Sequence, residues 1–302
     1  MHPTLVVIAG PTAVGKTAFS VELAQHLKTE IISADSRQFY KELTIGTAKP
    51  TAIELAACQH HFINHIHLKE NYTAAQFEEE ALALCKLKFM QHQQLVLTGG
   101  SGLYIDALCH GFDDAPPSDP AVRAELDLVL KNNGIKALQQ MLIQLDPDYS
   151  QKVDITNPQR LIRAIEINQL SGKNMHFFLK GKVKQRPFKI LKICLTMDRE
   201  LLYERINKRV DHMIVNGLED EALAYYHLKD INALQTVGYK EFFDYFEGNY
   251  SYTEAVDKIK QNSRNYAKRQ LTWFKRDKEY TWFDINTNRN AIMPFIMKAL
   301  LN

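Results

Sequence analysis

The octapeptide GPTAVGKT at residues 10–17 follows directly on the apolar run LVVIA at residues 5–9. No other feature constrains the fold of this chain as tightly. A short β-branched strand that stops at a glycine and enters a helix leaves the first helical amides unpaired. They point back along the helix axis and make a concave nest of positive potential. The pattern GxxxxGK[ST] is the phosphate-cradling P-loop, in which Lys16 offers a mobile charge and Thr17 a hydroxyl ligand for Mg2+. The motif points to phosphates and leaves open which bond breaks.

The sequence around it reads as alternating strands and helices. Strands at 5–9, 30–34 and 94–98 are short, apolar and bounded by turn residues, as parallel strands covered on both faces are. Helices at 15–28 and 72–91 separate them, the second with Thr73 as its N-cap. Pro116, Pro117 and Pro120 break the alternation, and from 120 to 184 the pattern is helices and turns alone. A strand at 188–196 resumes it, followed by helices at 199–216, 218–228, 238–247 and 253–276 and a strand at 280–284. The expected class is α/β: a P-loop NTPase-like parallel sheet flanked by helices, with an all-helical insertion. The expected divisions are 1–118 and 187–302 for the two parts of the core, the second with a basic helical C-terminal region, and 119–186 for the insertion.

Composition excludes several classes. A chain of 302 residues with 45% hydrophobic and 24% charged residues suits a soluble globular protein. No run approaches the roughly 20 apolar residues of a membrane span. Residues 1–4 lead into the first strand without a signal-peptide layout, so the expected location is the cytoplasm. Cys58, Cys85, Cys109 and Cys194 are scattered and indicate neither disulfides nor structural zinc. His60, His61, His65 and His67 alternate as in an extended segment and read as packing or surface residues. The net charge of +2 is too small to name a polyanionic partner. Basic stretches at 180–192 and 258–278 are solvated faces on charge alone, although Phe188, Tyr266, Trp273 and Phe274 beside them would also suit a nucleic-acid footprint.

Three further segments carry chemistry. SADSRQFY at 33–40 puts Asp35 at the carboxyl end of a parallel strand, where open α/β sheets bind ligands, and adds Ser36, Arg37 and Gln38 as donors and acceptors. TGGSGLY at 98–104 stands where a motor or switch NTPase carries a Walker B acid, and it has none. Gly99, Gly100 and Gly102 allow either close approach to a ligand or a tight turn, and Ser101 adds a hydroxyl. NPQRLIRA at 157–164 opens a helix with Asn157 as N-cap and Pro158 at its first position, placing Arg160 and Arg163 on one face. Arg205 and Arg209 follow the resumed strand, as surface charges or as cations reaching the phosphate crevice.

Together with IGTAKP at 45–50, VGYKE at 237–241 and AKRQLTWFKR at 267–276, these segments resemble the bacterial tRNA dimethylallyltransferase family, also called tRNA isopentenyltransferases. The resemblance implies transfer of the dimethylallyl group from dimethylallyl diphosphate to N6 of the adenosine 3′ of the anticodon (position 37), with release of diphosphate. It implies a diphosphate site made by Gly10, Pro11, Thr12, Ala13, Val14, Gly15, Lys16, Thr17 and Arg205, with Mg2+ near Thr17. Asp35, Lys16 and Thr17 become the catalytic residues, Asp35 taking the N6 proton. The implied tRNA contacts are Asp35, Ser36, Arg37, Gln38, Ser101, Arg123, Gln159, Arg160, Leu161, Ile162, Arg163, Lys268, Arg269 and Arg276. The partners are then the tRNA anticodon stem-loop and dimethylallyl diphosphate, with no membrane, and the chain is expected to act as a monomer. Ser101 stands where the family often has threonine. The zinc-finger extension of eukaryotic relatives is missing, so a bacterial-type enzyme is expected. The alternatives are a P-loop small-molecule kinase, with ATP in the loop and Asp35 deprotonating a hydroxyl, and a non-catalytic RNA-binding nucleotide sensor.

Overall fold

The computed structural model describes residues 2–112, 115–179 and 184–301. Two compact units emerge, Met1–Cys109 with Arg186–Asn302, and His110–Gln185. The second unit's borders stand beside the expected 119–186.

In chain order the first unit begins β1 (Thr4–Ala9), α1 (Lys16–Leu27), β2 (Ile31–Ser33), α2 (Ala52–Ala57), β3 (His60–His61), α3 (Ala74–Lys88), β4 (Gln94–Gly99) and α4 (Gly102–His110). The second unit holds α5 (Pro120–Asn133), α6 (Ile135–Leu145), α7 (Pro147–Ser150), α8 (Pro158–Ser171) and α9 (Met175–Phe178). The first unit then resumes with β5 (Lys189–Thr196), α10 (Arg199–Val215), α11 (Leu218–Ala224), α12 (Lys240–Phe246), α13 (Tyr252–Phe274), β6 (Thr281–Asp284) and α14 (Arg289–Leu301). No described helix is long and apolar enough to cross a membrane.

The six strands form one parallel sheet in the order β3-β2-β4-β1-β5-β6. All of β1 is buried, and its side chains alternate between two cores. Leu5, Val7 and Ala9 join one face, Val6 and Ile8 the other, as the two-residue period of a strand requires. Register decides where the chemistry sits. Ala9 pairs with Gly99 and Cys194, and Ser33 pairs with Thr98, so the turns leaving β1, β2 and β4 share one rim.

Three elements lie outside the pattern expected from sequence. Helix α2 is one and a half turns held by a capping box at Thr51 and Glu54, β3 is two residues, and α14 contains Pro294. The expected helix at 72–91 is shorter, with Thr73 accepting the Gln76 N–H as its cap.

In the helical unit, Asp119, Asp146 and Asn157 cap α5, α7 and α8 through their side chains. Each is followed by proline, whose missing N–H is harmless at a first helical position. A small core of Leu126, Leu138, Leu142, Leu161, Ile162, Ala164 and Ile165 holds the helices together.

Candidate active site

Two positions of the P-loop have backbone angles that favour glycine. Gly10 and Gly15 have φ of 145° and 108°, and a Cβ on Gly10 would stand 2.5 Å from the Leu195 carbonyl oxygen. Lys16 Nζ donates to the Pro11 carbonyl at 2.7 Å. Its enclosure, and then the Arg209 guanidinium, bring the ammonium pKa down to about 8, while Asp35 and Cys194 pull the other way.

Two cavities meet beside this loop. One of about 70 Å³ is bordered by Lys16, Thr17, Ser33 and Gln38, and one of about 590 Å³ by Ser36, Arg37, Asn262 and Arg269. Thr12, Asp35, Arg209 and Tyr266 line both. Asp35 is therefore at the junction. Its Oδ1 accepts the Arg37 N–H at 3.0 Å, and its carbonyl accepts the Gln38 N–H at 3.1 Å, which turns the chain sharply after β2. The Ser101 hydroxyl accepts the Ser36 N–H at 3.0 Å and donates to Ser36 Oγ at 3.2 Å. Burial, and then the Asp35 charge, push the Tyr266 phenol up to about 12, so it remains a neutral hydroxyl beside the carboxylate.

The loop bearing IGTAKP is held from outside. Glu221 accepts the amides of Thr44, Ile45 and Gly46 and the Tyr239 hydroxyl, so VGYKE and IGTAKP meet through one carboxylate. A Cβ on Gly46 would lie 2.5 Å from the Tyr239 ring. The Gln38 amide donates to the carbonyls of Thr47 and Ala48, tying this loop to the Asp35 turn.

TGGSGLY is tightly packed. The space beside its glycines is filled by the protein itself: Ala34 O would be 2.2 Å from a Cβ on Gly99, Gln270 Nε2 2.2 Å from one on Gly100, and the Trp273 ring 2.2 Å from one on Gly102. Close packing explains Gly102, while Gly99 and Gly100 are packed in the same way and also border the small cavity. At the place of a Walker B acid, Thr98 accepts from Ser20 Oγ at 2.9 Å. Gln270, absent from the expected site, accepts the Thr12 N–H at 2.8 Å and donates to Gly100 O at 2.9 Å. It joins α13 to the P-loop and to the turn after β4.

The family model described as IPP transferase matches residues 38–277. A protein of Christiangramia forsetii named tRNA dimethylallyltransferase is 50% identical over 296 residues, with 98% of each chain covered. The chain belongs to the tRNA dimethylallyltransferase family. A namesake from Flavobacterium johnsoniae is 48% identical over 302 residues, again with 98% of each chain covered. Among solved structures, the tRNA isopentenylpyrophosphate transferase of Bacillus halodurans is 40% identical with a TM-score of 0.73, covering 98% of this chain and 96% of that one. A eukaryotic dimethylallyltransferase, described as acting on tRNA, is 26% identical with a TM-score of 0.79, covering 98% and 80%. The parallel sheet flanked by helices is thus the P-loop NTPase-like fold of tRNA dimethylallyltransferases.

The residues expected to serve substrates of the family fall in different settings. Arg205 is exposed, its guanidinium beside Gly15, whereas Arg209, one helical turn on, borders both cavities. Leu161 and Ile162 are buried in the helical unit's core, because α8 turns its apolar stripe inward, and they cannot touch RNA there. Gln159 and Arg160 are exposed.

Arg123 and Arg163 both grip Glu166, at 3.2 and 2.7 Å. Glu166 is fully buried and also accepts from Ser118 Oγ and the Asp119 N–H. Burial works against its charge, but the hydrogen bonds from Ser118, Arg163 and Arg123 hold its pKa down at about 2.

Lys268, Arg269 and Arg276 are exposed, Arg276 stacked over Trp273 at 3.9 Å. The 180–192 stretch is not one solvated face. Arg186 is buried against Glu78 and the carbonyls of Ala107 and Leu108, and Lys192 is buried between Asp277 and Glu279. Lys180 and Lys182 lie outside the described residues. His61, His65 and His67 pair with Glu30, Glu80 and Glu42 respectively, three separate carboxylates.

Proposed function

We propose that this chain transfers the dimethylallyl group from dimethylallyl diphosphate to N6 of the adenosine at position 37, 3′ of the anticodon, in tRNA. The observation that carries this reading is Asp35 on the boundary of two unequal cavities, one against the P-loop and one large enough for an extruded nucleoside. An adenine amine is accessible to an enzyme only once the base has left the stack, which an anticodon loop allows at lower cost than a duplex.

The diphosphate would lie against the amides of residues 10–17, Lys16 and Arg209. These groups stabilise the negative charge that grows as the allylic C1–O bond breaks and its electron pair leaves with diphosphate. Arg209 takes the part expected of Arg205. The N6 amine, whose lone pair is delocalised into the ring, is a weak nucleophile. Asp35 accepts its proton as the N6–C1 bond forms. Holding the amine in line with C1 removes much of the entropic barrier.

Hydroxyls of Thr17, Ser33 and Thr98 and the Asp35 carboxylate border the small cavity, an all-oxygen donor set that fits Mg2+ sharing phosphate oxygens. When bound, the ion would supply further charge neutralisation at the leaving group. Thr17 is its expected protein ligand.

Gln159, Arg160, Lys268, Arg269 and Arg276 are exposed cations and donors suited to the tRNA backbone. Arg123, Arg163, Ser36, Arg37, Gln38 and Ser101 contribute contacts with whatever donor capacity their internal bonds leave. One chain carries every residue of this scheme, which supports a monomer, and a tRNA substrate supports action in the cytoplasm.

The test is incubation with tRNA and labelled dimethylallyl diphosphate, followed by nucleoside analysis. Label on the adenosine 3′ of the anticodon, with pyrophosphate released only when both substrates are present, is the expected result. Consumption of ATP with a small hydroxyl acceptor, and no label in RNA, would move the chain to the kinases.

A further inference from the structure

Helix α13 meets the site along one stripe. Asn262, Ser263, Tyr266 and Arg269 border the large cavity and Tyr266 and Gln270 the small one, at spacings of three and four residues that share a helix face. Gln270 locks this stripe in place, since it accepts the Thr12 N–H and donates to the Gly100 carbonyl. Tyr266 stands one turn before it. The ring is thereby held at the junction where Thr12, Asp35 and Arg209 also line both cavities.

The transfer develops charge at three places, and the groups described so far answer two of them. Lys16 and Arg209 face the leaving diphosphate, and Asp35 takes the amine proton. The third is the allyl unit itself, where positive charge spreads over C1 and C3 as the C1–O bond breaks. A further carboxylate there would compete with N6 for C1, whereas an aromatic face attracts positive charge and carries no nucleophilic pair. Tyr266 is the one aromatic residue among those that border both cavities. Its ring already takes a cation on one face, the Arg269 Cζ standing 5.7 Å from the centroid.

We propose that Tyr266 is a further catalytic residue, its other face lying against the allylic carbons and stabilising the positive charge that develops on them. The bonds are those of the transfer: C1–O breaks with its electron pair leaving on diphosphate, the N6 pair forms N6–C1, and Asp35 takes the proton. Tyr266 forms no bond and exchanges no proton. The inference rests on prenyl transfer at the Asp35 junction and deepens it by naming a group that acts on the allyl unit alone.

The test uses the whole protein in single-turnover prenylation of an anticodon stem-loop. Tyr266→Leu, which keeps bulk without a π face, should slow the step about tenfold, with affinities for the stem-loop and for dimethylallyl diphosphate held within about twofold. Tyr266→Phe should stay within about threefold of the wild type. Phenylalanines carrying one, two and three ring fluorines at position 266 alter the shape little and draw electron density from the face stepwise, so the logarithm of the rate should fall with each fluorine. A flat fluorine series, or a full rate in Tyr266→Leu, would overturn the proposal.

Binding reads the same face without chemistry. A small trialkylammonium shaped like the allyl unit, offered with inorganic pyrophosphate, should bind the wild-type protein about tenfold tighter than its uncharged carbon isostere, and Tyr266→Leu should bind the two alike. The same preference in Tyr266→Leu would overturn the part given to the ring. Labelled RNA with a flat fluorine series would remove Tyr266 and leave the transfer standing. No label in RNA from the wild-type protein would end the transfer, and the catalytic part of the ring with it.

Discussion

Arginines in the two units are used in opposite ways. In the helical unit Arg123 and Arg163 close on a fully buried Glu166, so their charge is answered inside the protein. At the sheet rim, Arg209 makes no ion pair among the described residues and faces two cavities, its guanidinium pKa lowered by burial against the pull of Asp35. A buried acid within reach turns an arginine into structure. Without one, enclosed positive charge waits for an anion from outside.

The sharpest way to break the contrast is to remove Asp35, the carboxylate that borders both cavities. Asp35→Ala should lower prenyl transfer by about a thousandfold while tRNA affinity stays within a few-fold, measured by single-turnover kinetics and filter binding. Near-normal turnover would end its role as base. Glu166→Ala should instead cost the helical unit about 3 kcal/mol, because two cations lose the partner that offsets their desolvation; denaturant unfolding reads this, and an unchanged midpoint would make the pair ornamental. The same carboxylate gives a pH signature. Its folded-state pKa of about 2 lies below the ordinary value near 4.3, so its contribution is full above about pH 4.3 and is lost as the pH falls towards 2.

Arg209→Ala should reduce kcat/KM for the diphosphate substrate by about a hundredfold with little change in stability, the reverse of Glu166→Ala. An equal loss in Arg205→Ala alone would return the role to the exposed residue. Lys16, with its pKa brought down to about 8, is charged below that pH and loses its proton above it. KM for dimethylallyl diphosphate should therefore climb as the pH passes 8, and Lys16→Arg should flatten the climb. The smallest effect concerns exposed charge: neutralising Lys268, Arg269 and Arg276 should reduce the slope of log affinity for tRNA against log salt by about 0.7 for each phosphate the protein no longer neutralises.

What the sequence disclosed follows the range of the interactions. The P-loop and β1 are coded by adjacent residues and are readable as a unit. Asp35 is placed by its position after a strand, which is again local. The choice between Arg205 and Arg209 depends on the phase of α10 against the sheet, a tertiary quantity. Leu161 and Ile162 carry a usable signal: with Ile165 they make the apolar stripe of α8, which should have excluded them from an RNA surface. Gln270 has one as well, since Ala267, Gln270 and Phe274 share the buried face of α13 although the segment reads as basic. Two residues of β3 carry no pattern, and Pro294 hides α14.

Trp273 fills the space at Gly102, donates its indole N–H to Asp106 Oδ2 at 2.8 Å and lies under the Arg276 guanidinium. Its ring is thus in a polar, asymmetric setting on the same helix as Gln270 and Arg269. Indole emission and near-ultraviolet dichroism respond to such surroundings, and the chain contains only two tryptophans. With Trp282→Phe, the protein would carry one native optical reporter, placed where α13 meets the turn after β4, and arrival of either substrate could be followed without a label.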